Sequence, residues 1–242
     1  MVASNAFMNG CFRRYPCGTK GPGRSDVRYY PICLDISGKR CIVIGGGNVA
    51  ERKVERLLAC GAVVEVVGKE LTPALTVWKG EGRIIHRRAD FEEAHLAGAT
   101  LVIGATDDET VNGRVAQSAR ARGIPVNIVD DPDRCDFILP SVVERGDLVI
   151  AVSTGGKSPA LARKIREELE GIYGAEYAIL LEIMGELRDR VIAAGASSDE
   201  NRERLTAVVR SEILEEIRRK EWTKVKEMIF RLAGVEMEVG PR

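Results

Sequence analysis

The sequence predicts an α/β fold in which helices cover both faces of a parallel sheet, followed by a hairpin and a helical unit. Apolar runs typical of buried strands alternate with segments of helical spacing between residues 40 and 129, and this alternation indicates βαβ units. A glycine turn stands between the first apolar run and the first helical segment. After residue 136 the pattern changes to two strand-like runs and then to helices.

The glycine turn reads Gly45-Gly46-Gly47-Asn48-Val49-Ala50 and follows the run Cys41-Ile42-Val43-Ile44. Read as G-x-G-x-x-A, it needs Gly45 for the tight turn, Gly47 for close approach of backbone N–H groups to a pyrophosphate, and Ala50 for close helix packing. Asn48 and Val49 begin the helix, whose N-terminus favours an anion. The turn predicts a Rossmann-like dinucleotide site. The alternative is a glycine-rich turn that only packs.

The other elements follow from the same periodicities. The predicted strands of the sheet cover residues 40–44, 63–67, 83–87, 100–105 and 125–129, and the predicted helices cover 48–60, 71–79, 92–97 and 108–122. Two further strands, 137–143 and 148–153, flank the turn 144–147, and helices follow at 159–170, 175–194, 199–219 and 221–233. These elements predict a nucleotide-binding domain at 29–136, a hairpin segment at 137–173 and a helical domain at 174–242. Residues 1–28 show no period and are expected to be a disordered tail.

Composition excludes several classes of function. The 36 basic and 36 acidic side chains cancel, so no net charge recruits nucleic acid or an anionic membrane surface. No apolar run reaches the ~20 residues of a membrane span, and no signal core is present, so a cytoplasmic location is expected. Six scattered cysteines without a C-x-x-C pair and two isolated histidines predict neither a zinc site nor another metal site.

Polar residues follow two later strands, at the edge where such sheets bind ligands. Thr106 and Asp107 follow the strand 100–105, and Thr106 either caps the next helix or contacts the cofactor. Asp130 follows the strand 125–129. It either accepts a proton while hydride leaves for a nicotinamide, or forms a turn before Pro132.

A second loop rich in glycine and hydroxyl groups precedes the helix that starts near Pro159. Thr154 and Gly155 belong to this loop, and Lys157 supplies a positive charge. The loop either cradles an anion or is a capped turn, with Ser158 as the cap.

One expected residue is missing from the nucleotide site. An acidic residue usually ends the second strand and holds the ribose hydroxyls of NAD. Here Val67 is followed by Gly68 and Lys69, and Glu70 comes one position late. This turn therefore does not decide between NAD and NADP.

An ordered series of motifs resembles the precorrin-2 dehydrogenase/sirohydrochlorin ferrochelatase family, which includes the N-terminal region of siroheme synthases. The motifs are Tyr30-Pro31-Ile32, Ile44 to Lys53, Ala105 to Asp108, Asn127 to Asp130, Phe137 to Ser141 and Ala151 to Pro159. They span about residues 29–170, and several unusual blocks agree in order.

The resemblance implies NAD-dependent oxidation of precorrin-2 to sirohydrochlorin and, in many members, insertion of ferrous iron to give siroheme. It implies that Asp130 takes part in the chemistry and that Thr154, Gly155 and Lys157 lie at the tetrapyrrole. It also implies a homodimer formed through the hairpin segment and the helices behind it. Candidate cations for the substrate carboxylates are Arg134, Arg145, Lys157 and Arg163.

Two other functions stay open from the residues alone. One is a regulatory module that binds NAD without catalysis, and the other is a dehydrogenase of a small metabolite. A perturbed absorption spectrum of added sirohydrochlorin would separate the favoured function from both, because neither alternative requires a pocket for so large a ring.

Overall fold

A computed structural model describes residues 29–240 of the chain. The contacts divide the chain at Pro31, and every helix and strand of the described residues belongs to the compact unit that begins at Ile32. The expected disorder of residues 1–28 lies outside the described residues. No helix among the described residues is long and apolar enough to cross a membrane.

The main sheet has five parallel strands in the order β3-β2-β1-β4-β5. The strands are β1 (Arg40–Ile44), β2 (Val63–Val67), β3 (Ile84–Arg87), β4 (Leu101–Gly104) and β5 (Val126–Ile128). Their connections are α1 (Asn48–Ala59), α2 (Pro73–Gly80), a 3-10 helix (Glu93–Leu96) and α3 (Glu109–Ala121). The predicted Rossmann-like sheet and the alternation that produces it are confirmed.

The alternation of side chains along the strands builds a separate core on each face. Val43 of β1 packs under α1 and α2 together with Val54 and Leu75. Its neighbour Ile42 points to the other face and packs with Val115 of α3. Because both faces are covered, the strands are apolar almost throughout, as expected for a buried parallel sheet.

The hairpin is shorter and lies further along the chain than predicted. It consists of β6 (Ser141–Arg145) and β7 (Leu148–Val152), so the predicted strand residues 137–140 lie outside it. Pro140 lacks the N–H that a ladder requires and comes directly before β6. The turn is reduced to Gly146-Asp147, with Gly146 at φ 58°, as the first central position of a type II′ turn requires.

Five helices complete the chain, and one predicted helix is wrong in its continuity. The helices are α4 (Pro159–Ile172), α5 (Glu176–Ala193), α6 (Ser198–Val209), α7 (Ile213–Arg218) and α8 (Trp222–Ala233). The single helix predicted at 199–219 is divided because Ser211 interrupts it. Its hydroxyl donates to the carbonyl of Val208 at 2.7 Å and accepts from the N–H of Ile213 at 3.3 Å. Local bonds of this kind compete with helix propagation.

Helices α5 to α8 surround a third core, which includes Leu187, Ile213 and Ile229. The predicted domain boundaries after residues 136 and 173 are not tested by these contacts, so the division into three domains stays a prediction. The predicted cap of α4 is confirmed, since the Ser158 hydroxyl accepts from the N–H of Leu161 at 3.2 Å and Pro159 is the first helical residue.

A buried carboxylate lies inside the main sheet, in a strand that otherwise carries only valine. Glu65 of β2 is 1% exposed. It accepts hydrogen bonds from Arg40 at the start of β1 (Nη2 to Oε2, 2.8 Å) and from Arg87 at the end of β3. Arg40 also donates to the carbonyls of His95 and Ala97. Burial alone would raise the pKa of Glu65, but the two guanidinium groups outweigh it and hold the pKa below its ordinary value.

Glu65→Gln should lower the free energy of unfolding by about 3 kcal/mol, because it removes one partner of a buried charge cluster. A carboxylate with a lowered folded pKa stabilises above its unfolded pKa, and this contribution is lost as pH falls through the folded pKa. The difference between wild type and variant should therefore be full at neutral pH and shrink below about pH 4. Urea unfolding across this range measures it.

Glu81→Gln is the matched control, because the Glu81 carboxylate pairs with Arg83 and its side chain is 52% exposed. We expect a change below about 0.5 kcal/mol. Equal effects of the two substitutions would contradict a special role for the buried cluster.

Candidate functional site

The site forms where the strand order reverses, at the carboxyl ends of β1 and β4. From β1 the chain continues to β2 on one side of the sheet, and from β4 it continues to β5 on the other side. The turns that follow β1 and β4 therefore diverge and leave a crevice between them. Ala105 donates to the carbonyl of Ile44 at 2.8 Å, and Val129 donates to that of Gly104 at 2.9 Å. These bonds place the glycine turn, Thr106 and Asp130 at one edge of the sheet.

Two glycines of the turn are required by the close approach of neighbouring backbones. Gly45 has φ 113°, and a Cβ there would lie 2.4 Å from the carbonyl oxygen of Ala105. A Cβ at Gly46 would lie 1.9 Å from the carbonyl oxygen of Glu70. A side chain at either position would force the β1 turn away from its neighbours.

Gly47 differs from both, because a Cβ at this position would meet no protein atom within 4 Å. It precedes α1 with an extended backbone, and no side chain caps that helix end. Ala50 is fully buried beneath, where it packs α1 onto the sheet. Open space in front of uncapped N–H groups fits a dinucleotide pyrophosphate.

The turn after β2 offers no carboxylate directly at the strand end. Lys69 pairs with Asp90 at 2.8 Å, and the backbone carbonyl of Glu70 packs against Gly46.

Thr106 does not cap α3, so the capping alternative is wrong. Asp108 is the cap, and its carboxylate accepts from the N–H groups of Thr110 and Val111 at 2.8 and 3.1 Å. The Thr106 hydroxyl contacts the amide oxygen of Asn112 at 2.9 Å, and the Asn112 amide donates to the Thr106 carbonyl at 2.8 Å. This bridge fixes the turn after β4, and the exposed Asp107 follows it.

Asp130 is exposed and has φ 60°, in the left-handed region. Only one other non-glycine residue of the described chain, Lys220, has a positive φ. The N–H of Asp131 donates to the carbonyl of Ile128 at 3.3 Å, so Asp130 is a central residue of a backbone turn. The side-chain cap that follows belongs to Asp131, whose carboxylate accepts from the N–H of Arg134 at 3.2 Å. Aspartate adopts this region more readily than most residues, and non-glycine residues held there cluster at active sites and ligand-binding turns.

Lys53 is a site residue that the sequence reasoning did not single out. It lies on α1, is half-buried, and interacts electrostatically with Asp130. Burial is the main cause that lowers the pKa of Lys53. The positive charges of Arg52 and Arg56 lower this pKa further, and the Asp130 carboxylate opposes the shift. The sequence could have indicated Lys53 through its position, because it lies one turn after Ala50 on the helix that follows the glycine turn.

The Thr154 loop is a closed turn in this structure. The Thr154 hydroxyl donates to the carbonyl of Ser158 at 3.0 Å and accepts from its N–H at 3.1 Å. Gly155 and Lys157 are exposed. The hydrogen bonds of Thr154 stay within the loop, so its predicted contact with substrate remains a prediction.

The other candidate cations have local partners. Arg134 pairs with Asp131 and Arg163 with Glu167, and Arg145 donates to two backbone carbonyls. Within residues 29–240, no group of three or more metal-ligating side chains occurs.

Two family models match the chain in succession. A model for NAD(P)-binding domains matches residues 32–141, and a model for the central part of sirohaem biosynthesis proteins matches residues 145–172. Together they cover the sheet, β7 and α4, and leave out residues 142–144 of β6.

Curated relatives agree with both models. The chain is 47% identical over 169 residues to the siroheme synthase of Nitrosospira multiformis, covering 68% of this chain and 36% of that protein. It is 48% identical over 161 residues to the siroheme synthase of Methylobacillus flagellatus, covering 66% of this chain and 34% of that protein. The chain thus spans about a third of the length of these relatives.

A solved structure extends the likeness to the C-terminal helices. The structure of SirC, a precorrin-2 dehydrogenase, matches with a TM-score of 0.71 and 25% identity. The match covers 86% of this chain and the whole of SirC.

The fold and the glycine turn thus define an NAD(P)-binding domain of the Rossmann class, extended by a hairpin and a helical bundle. Within this class, the chain belongs to the precorrin-2 dehydrogenase family that includes the N-terminal region of siroheme synthases. The resemblance found in its motifs is confirmed.

Gly47→Val should abolish binding of NAD and NADP while the protein stays folded. The valine side chain would occupy the open space that fits the pyrophosphate, and an extended backbone tolerates a β-branched residue. Calorimetric titration and thermal melting measure the two effects.

Gly80→Val is the control, since a Cβ at Gly80 also meets no atom within 4 Å but lies at the end of α2. It should leave cofactor affinity unchanged. Full affinity in folded Gly47→Val would contradict the assignment of the turn.

Proposed function

We propose that this chain is an NAD-dependent precorrin-2 dehydrogenase that forms sirohydrochlorin in siroheme biosynthesis. One observation carries the proposal. An exposed carboxylate, Asp130, is held in a left-handed turn at the same sheet edge as the open glycine turn. The family relationship supplies the substrate class, and SirC is named as an enzyme of this activity.

The residues of this edge divide the work of a dehydrogenation. The α1 N-terminus and Gly47 hold the pyrophosphate, and the Thr106 turn borders the crevice on the β4 side. When bound, NAD⁺ supplies the hydride acceptor. Asp130 would accept the proton that leaves the substrate as the hydride departs, so that the two hydrogens are lost as a hydride and a proton. Lys53 interacts electrostatically with the Asp130 carboxylate and so brings a positive charge near the proposed base.

Insertion of ferrous iron into sirohydrochlorin is the second reaction that we propose for this site. The step requires a group that accepts the two pyrrole protons as the metal enters the ring. Asp130 is exposed and free of capping duties, so it can accept them in turn. We propose iron as a substrate and not as a resident cofactor, and the cytoplasm as the compartment that supplies NAD.

Asp130→Asn should lower turnover of precorrin-2 by about 100-fold or more, because removal of a general base acts on the transition state. Cofactor affinity should stay near that of wild type. Asparagine tolerates the left-handed conformation, so the turn is preserved. Absorbance of NADH and sirohydrochlorin measures the first step, and iron insertion is compared with the uncatalysed rate.

Asp133→Asn removes an exposed carboxylate from the same loop and should leave both rates unchanged. Near-normal turnover in Asp130→Asn would reject the base. A wild-type protein that binds NAD but does not oxidise precorrin-2 would instead support a regulatory module.

We also propose that the hairpin forms a homodimer. In the register of β6 and β7, Glu144 pairs with Val149, so these two side chains share a face. Val143, buried at 0% exposure, belongs to the opposite face. Val149 is 53% exposed, and α4 exposes Leu161 at 49% and Ile172 at 58%. These exposed apolar side chains all belong to the segment that the family resemblance assigns to the dimer, and they are the surface that we propose the partner covers.

Val149→Lys should convert the dimer to a monomer, because a lysine at an apolar interface loses its hydration. The new lysine can pair with Glu144 in the free protomer, so folding is preserved. Light scattering measures the mass. Val77→Lys, at a 54% exposed position on α2, is the control and should stay dimeric; an unchanged mass for Val149→Lys would exclude this face.

A further inference from the structure

The left-handed backbone of Asp130 needs a device that maintains it. An L-residue with a side chain adopts this conformation at a steric cost, although aspartate tolerates it better than most. The neighbouring residues Val129 and Asp131 have no positive φ, so the strain is confined to one residue. Such strain persists only where the surroundings determine the turn from both sides.

The buried thiol of Cys135 contacts both sides of this turn. Its Sγ lies 3.1 Å from the carbonyl oxygen of Ile128 and 3.1 Å from that of Asp131. The N–H of Ile128 donates to the same sulfur at 3.1 Å. One side chain therefore contacts the residues two before and one after Asp130: its sulfur accepts from Ile128, and its single S–H donates to one of the two carbonyls at a time.

A second buried polar group holds the thiol in place. Asn127 is 8% exposed, and its amide donates to the Cys135 Sγ at 3.4 Å and to the carbonyl of Phe137 at 3.0 Å. Burial raises the pKa of the Cys135 thiol, so it stays protonated and can donate to a carbonyl. The thiol acts here as both donor and acceptor, which an apolar side chain of equal size could not do.

We propose that Cys135 is a positioning residue that holds Asp130 in its left-handed conformation and aims the carboxylate into the crevice. The aim of the carboxylate matters only if Asp130 is the base, so that part rests on the proposed function. The conformational part does not, and it is measurable without substrate. The proposal separates Cys135 from Cys41, a buried cysteine that packs in the apolar core under α1.

The conformational test is a thermal cycle built on Asp130→Gly. Glycine adopts a positive φ without the steric cost, so Asp130→Gly should raise Tm by about 2 °C in the wild-type background. In Cys135→Ala the turn can relax, so no strain remains to be relieved. There Asp130→Gly should give no increase, or a decrease from the greater freedom of the unfolded chain.

Cys41→Ala is the control for loss of a buried thiol. It should lower Tm through lost packing, yet retain the full increase on Asp130→Gly. If the increase is the same in the Cys135→Ala background as in wild type, the proposal is overturned. It is overturned as well if Asp130→Gly gives no increase in wild type, because the turn would then store no strain.

The kinetic test separates positioning from general destabilisation. Cys135→Ala should lower kcat for precorrin-2 by about 10-fold or more, since misplacement of a base by a fraction of an ångström acts on the chemical step. KM for NAD should not change. Cys135→Ser retains a donor and acceptor and should restore kcat to within about threefold of wild type.

An unchanged kcat in Cys135→Ala, or a loss that serine does not restore, would contradict the positioning role. Absence of turnover in the wild-type protein would contradict the proposed function instead. The thermal cycle would then still decide whether Cys135 holds the turn.

Discussion

The fold depends on a close approach of three backbone segments at one edge of the sheet. Gly45 and Gly46 have no room for a side chain because the carbonyls of Ala105 and Glu70 lie against them. This packing brings the ends of β1, β2 and β4 together and leaves the helix end at Gly47 open. The cofactor crevice thus results from the same close backbone packing that brings these strand ends together.

The opposite side of the crevice is organised by polar contacts. Thr106 and Asn112 bridge the turn after β4. Asn127 and Cys135 form hydrogen bonds that hold the turn after β5. All four groups lie within or next to the sheet, so they keep a rigid frame around an exposed Asp130. A strained residue on a rigid frame is pre-organised, and the stability that it gives up is compensated by the sheet below.

The sequence predicted the sheet well because its strands and helices have distinct periods and clear ends. It failed where the outcome depends on the hydrogen bonds of a single side chain. The break at Ser211 interrupts a pattern that otherwise continues, and Asp108 replaced Thr106 as the cap because both residue types suit that position. Asp130 was a candidate, but neither its left-handed backbone nor the thiol behind it can be derived from spacing. The thiol belongs to Cys135, which lies five residues further along the chain and contacts the turn only in the folded protein.

Glu65 has a further consequence for how the strands choose their partners. Valine-rich strands resemble one another, and a shift of β2 by one residue would still bury apolar side chains on both faces. The same shift would move the carboxylate to the other side of the sheet, away from Arg40 and Arg87. An unpaired buried charge would then penalise the misaligned sheet. One glutamate therefore distinguishes the correct alignment of β1, β2 and β3 from its near neighbours, a distinction that the valines alone do not make.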